Sequence, residues 1–105
     1  MNSLEELTYY CSLFDLYKSL LTDKQRDIME KHLYYDLSLN EIAQDLGISR
    51  AGVLDSIEHS KDNLKSYEEK LHLFERNEKL SKKISESNLS NEEKKELIEV
   101  IYYGI

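Results

Sequence analysis

Residues 38–53 read SLNEIAQDLGISRAGV, and this stretch decides the fold. Ser38 can cap a helix start, and Glu41 stands three residues on, where it can return a hydrogen bond to the cap. Ile42, Ala43 and Leu46 supply one apolar side of a short helix. Gly47 falls where a helix ends in a left-handed turn, which glycine adopts without steric cost. Ile48 anchors that turn, and Ser49 caps the next helix. A short helix, a glycine turn and a second capped helix are the parts of a helix-turn-helix. Ala43 has to be small, because the two helices cross closest there. Ile42, Leu46, Ile48 and Val53 fix the crossing.

Working outward, Thr22 and Gln25 form a second capping box, which predicts a helix to about Tyr35 burying Ile28, Met29 and Leu33. Asp36 and Leu37 break it. Upstream, residues 3–21 predict an amphipathic helix capped by Ser3 with Glu6. Leu4, Leu7, Tyr10, Cys11, Phe14, Tyr17 and Leu21 form its apolar stripe. Downstream, Val53, Ile57, Leu64, Tyr67, Leu71 and Phe74 follow a heptad-like seam, interrupted by Ser60 and Lys61. The seam admits packing on its own domain or pairing with a second copy. Residues 75–88 read as a weaker helix or a continuation. A terminal helix capped by Ser90 and Glu93 carries Leu97, Ile98, Ile101 and Tyr102, and Gly104 ends it.

The fold expected is therefore all-α: a single helical domain over residues 1–105. It comprises an N-terminal helix (1–21), the helix-turn-helix unit (22–62) and a long-helix continuation with C-terminal helices (63–105). The chain has no proline and only three glycines, so long helices meet few breakers. A domain of 105 residues buries a modest core. With eight tyrosines (Tyr9, Tyr34, Tyr35, Tyr67, Tyr102 and Tyr103 among them) and the seam, a homodimer is expected.

The net charge is −7, with −4 over residues 22–71, so no overall basic footprint of a nucleic-acid binder appears. Cys11 is the single cysteine, which excludes an internal disulfide and suits a reducing cytoplasm. No apolar run is long enough to span a bilayer, so no membrane partner is expected. His32, His59 and His72 lack metal-ligand spacing. No phosphate loop or nucleophile motif stands out, and neither catalysis, a metal nor a cofactor is expected.

The motif's residues resemble a known family. LTDKQRDIME (21–30), SLNEIAQDLGIS (38–49) and Val53 are similar to region 4 of sigma-70-type factors. Across most of the chain the resemblance is to the YlxM family. It is carried further by LEELTYYCSLFDLYKSLLTDKQ (4–25), YYDLSLNEIA (34–43) and SYEEKLHLF (66–74), with residues 76–105 the least specific. That resemblance implies a cytoplasmic regulatory or accessory protein tied to the signal recognition particle. Its implied partner is the particle's protein or RNA. The family's association rests largely on gene neighbourhood with the particle's GTPase or its receptor.

DNA stays open as the alternative partner. In a DNA reader the start of the second helix meets base edges and nearby cations meet phosphates. Ser49, Arg50, Gly52, Asp55, Ser56 and His59 would form the base-facing side here. Lys24, Arg26 and Lys31 would reach phosphates from the preceding helix, with Lys65 and Lys70 nearby. Sigma region 4 usually carries basic residues one and two turns into this helix. Asp55, Glu58 and Asp62 depart from that pattern, and residues 49–62 net −1.

Overall fold

Three capping boxes set the starts of three helices in the computed structural model, which describes residues 3–104. The Thr22 hydroxyl accepts from the Gln25 backbone N–H (3.2 Å), and the Gln25 side chain accepts from the Thr22 N–H (3.1 Å). Ser38 with Glu41, and Ser90 with Glu93, repeat the exchange. Each box satisfies two N–H groups that a helix start leaves unpaired. The elements are α1 (Ser3–Tyr17), a single 3-10 turn (Lys18–Leu20), α2 (Asp23–Leu33), α3 (Leu39–Leu46), α4 (Arg50–Leu71), α5 (Leu73–Ser85) and α6 (Asn91–Tyr103). No strand occurs among the described residues. The fold is all-α, as the patterning predicts.

The chain forms two compact units, residues 1–71 and residues 72–105, where the patterning predicts one domain. In the first, α1, α2 and α3 pack on α4 or on one another around Leu13, Phe14, Tyr17, Ile28, Met29, Ile42, Val53, Ile57 and Leu64. Leu13, Phe14, Ile28, Met29, Ile42, Val53 and Leu64 are completely buried. Fully burying an aliphatic side chain contributes roughly 1.5–3 kcal/mol before entropy is subtracted. Two polar contacts tie the ends of this unit together. Tyr17 Oη donates to Glu68 Oε1 at 2.7 Å in a buried setting. Tyr34 Oη donates to Asp15, fixing the end of α2 to α1.

The predicted α1 stripe shifts by part of a turn. Leu4 and Leu7 are exposed, Leu13 is completely buried, and Cys11 is half-buried. Ser3 lies inside α1, and Glu6 faces Lys61 across 3.9 Å. The seam also ends early. Val53, Ile57 and Leu64 are spent inside the first unit, while Leu71 is exposed and Phe74 belongs to α5. The break is His72, whose φ of 55° is left-handed. Histidine adopts this region more readily than most residues, but no glycine or proline marks it in the sequence. The second unit is the α5–α6 hairpin, in which Tyr102 Oη accepts from Ser81 Oγ at 3.2 Å.

Candidate macromolecule-binding face of the helix-turn-helix

The turn between α3 and α4 is built by two residues. Gly47 takes φ 67°, ψ 32° and donates its N–H to Ala43 O, which also accepts from Ile48 N at 3.1 Å. Ser49 Oγ accepts from Gly52 N at 2.9 Å and so caps α4. A Cβ on Gly52 would stand 3.1 Å from that oxygen. Ser49 and Gly52 thus form the cap, with Ser49 exposed and Gly52 half-buried. Ala43 is buried at the α3–α4 crossing, as its size requires.

From this cap α4 runs with one side buried and one side open. Arg50, Ala51, Leu54, Asp55, Glu58, His59 and Asp62 are exposed, at spacings that share one face. Asp55 Oδ2 stands 3.4 Å from His59 Nδ1, so these two predicted base-facing side chains meet each other. Ser56 is half-buried, and its carbonyl accepts from Ser60 Oγ at 2.8 Å. That bond satisfies Ser60, the polar interruption of the seam, within the core. Leu54, 42% exposed, is a member of the face that patterning did not single out. Its signal is an apolar residue beside the buried Val53 and off the line of the core.

The expected phosphate contacts divide into two kinds. Arg26 spans the α1–α2 junction: Nε donates to Lys18 O and Nη2 to Leu21 O, both at 3.1 Å, while Nη1 pairs with Asp23 at 3.1 Å. Lys31 Nζ donates to Asp27 Oδ1 at 2.7 Å and lies 3.5 Å from Asp45. The hydrogen bond it donates to Asp27 holds the Lys31 ammonium above its ordinary pKa, with Asp45 adding to the effect. Lys24 and Arg50 are exposed, and among the described residues neither has an ion-pair partner. On the helix-turn-helix, Glu41 and Asp45 of α3 and Asp55, Glu58 and Asp62 of α4 are exposed carboxylates, against Arg50 as the exposed cation at its head.

The family pattern described as "Putative helix-turn-helix protein, YlxM / p13 like" matches residues 4–101. The chain belongs to the UPF0122 family. UPF0122 proteins of Bacillus cereus (strain AH187) and Bacillus anthracis (strain A0248) are each 43% identical to it over 105 residues, spanning 93% of this chain and 96% of theirs. A UPF0122 protein of Bacillus thuringiensis subsp. konkukian (strain 97-27) is similar to the same extent. The match takes in residues of both units of this UPF0122 chain. No helix among the described residues of this UPF0122 protein is long and apolar enough to cross a membrane. Nor do these residues hold a cluster of three His, Cys, Asp or Glu side chains suited to a metal ion.

Proposed function

We propose that this helix-turn-helix protein is a non-catalytic regulatory or accessory factor that docks a basic partner on the open face of α4. The partner belongs to the signal recognition particle pathway, the assignment implied by the resemblance to YlxM. One observation carries the reading. Asp55, Glu58 and Asp62 occupy the open side of α4 where a DNA reader would set cations. Carboxylates there repel a phosphate backbone and attract a basic surface. Arg26 and Lys31 add little to phosphate binding, because both already serve partners within the chain. A cytoplasmic protein partner fits this charge.

A second reading, sequence-specific DNA binding, is favoured by Arg50. It stands exposed at the head of α4, where a guanidinium can take guanine O6 and N7 together. Lys24 is the cation available to support it from α2.

Capture of the tagged protein from its host's lysate, with and without nuclease, separates these readings. Recovery of the particle's protein in both samples supports direct docking. Recovery that needs intact nucleic acid assigns the contact to the particle's RNA. Recovery of chromosomal DNA with no particle component contradicts the first reading in favour of the second.

A further inference from the structure

The α5–α6 hairpin buries one side chain, Asn77, and none of its apolar residues. Its two helices have 13 residues each. Isolated helices of that length are marginal in water, and packing of an apolar face is what normally holds them. The hairpin has such a face, and it is open.

Tyr102 closes one side of the hairpin, accepting from Ser81 and donating to Glu78 Oε1 at 3.5 Å. A turn of 100° per residue sets Leu80 of α5 and Leu97 and Val100 of α6 on the opposite side. These three are 41%, 42% and 49% exposed. Leu89 and Tyr103 are exposed at its margins. A standard interface takes about 800 Å² from each partner, so this apolar strip forms its centre and the charged rim supplies the remainder.

The rim identifies the occupant. In α5, Arg76, Lys79, Lys82 and Lys83 against Glu75 and Glu78 leave a charge of +2. In α6, Glu92, Glu93, Glu96 and Glu99 against Lys94 and Lys95 leave −2. A surface with one basic and one acidic helix flanking an apolar strip complements itself after a twofold rotation. The basic α5 of one copy then lies on the acidic α6 of the other. Lys83 and Glu96 are exposed on these rims with no ion-pair partner among the described residues.

We propose that the open apolar side of the α5–α6 hairpin, centred on Leu80, Leu97 and Val100, docks a second copy of this chain, giving a twofold dimer whose core is a four-helix bundle. On this proposal the α4 seam is not the dimer contact, because its Val53, Ile57 and Leu64 are buried in the first unit. The dimer is independent of what the α4 face binds.

Light scattering and sedimentation of the full chain across a wide concentration range test this. The wild type is expected to run at twice the chain mass. L97E/V100E is expected to run as a single chain with the helical signal of residues 1–71 retained. Because those substitutions could unfold the hairpin, surface variants give a second test. K83E and E96K are each expected to weaken association by roughly tenfold, and K83E/E96K together to recover most of the loss. A wild type that stays monomeric at every concentration would overturn the proposal. So would a dimer indifferent to L97E/V100E, or charge variants whose effects simply accumulate.

Discussion

The two units use the same kinds of residue to different ends. In residues 1–71, apolar side chains meet across four helices, and seven of them are completely sealed from water. In residues 72–105, Leu80, Leu97 and Val100 sit on two helices, of which α6 starts at a capping box and α5 at the uncapped His72, with their apolar faces still open. Each unit thus has a helix start set by a capping box, while burial differs sharply between them. Local signals specify where a helix starts and stops; what it packs against depends on how many neighbours the chain supplies. The first unit seals its core, and the second leaves an apolar face open.

The difference between the units shows most in the core. Leu64→Ala is expected to lower the unfolding free energy by about 2–5 kcal/mol, because a fully packed site cannot collapse around the cavity. Leu97→Ala in dilute protein is expected to change the urea midpoint of residues 1–71 very little. Equal losses from both substitutions would deny the difference between the units. Tyr17→Phe removes the buried hydrogen bond to Glu68 and is expected to cost about 1–2 kcal/mol in the same measurement. Gly47→Ala tests the turn alone. No atom lies within 4 Å of the added methyl, so only the left-handed backbone resists it, at about 1 kcal/mol.

The smallest expected effect is a pH dependence. His32 is half-buried beside Lys61, and desolvation first, then the lysine, depress its pKa below the ordinary value. The unfolded chain therefore binds the proton more readily than the folded one. This contribution to stability is complete above the unfolded histidine pKa of about 6.5 and is lost as the pH falls through the lower folded value. Thermal melts from neutral to mildly acidic pH are expected to show that decline, and His32→Gln to remove part of it. A wild type and variant with parallel profiles would exclude His32 as the source.

The helix-turn-helix was legible because its parts are local. Thr22 with Gln25, Ser38 with Glu41, Gly47 and Ser49 each act within four residues of themselves, and all stand where the spacing predicts. The α4–α5 break was not legible, because a left-handed His72 carries no punctuating residue. The stripe of α1 was misaligned at its start for a related reason. Leu4 and Leu7 satisfy the period of a buried face, but a period cannot tell how far along a helix its neighbours extend. At the candidate site, Arg50, Asp55 and His59 are exposed. Periodicity gives no hint that Arg26 braces the α1–α2 junction through Lys18 O and Leu21 O. Those acceptors become neighbours only after the 3-10 turn folds the chain back.

The α4 face is tested most directly by titrating the purified protein with the particle's basic RNA-binding protein and, separately, with duplex DNA over a range of salt. Binding to the basic protein is expected to weaken with salt and to disappear in E58K/D62K, with no comparable affinity for the duplex. Tight, salt-sensitive duplex binding that R50A abolishes, alongside protein binding indifferent to E58K/D62K, would contradict docking of a basic partner on this face.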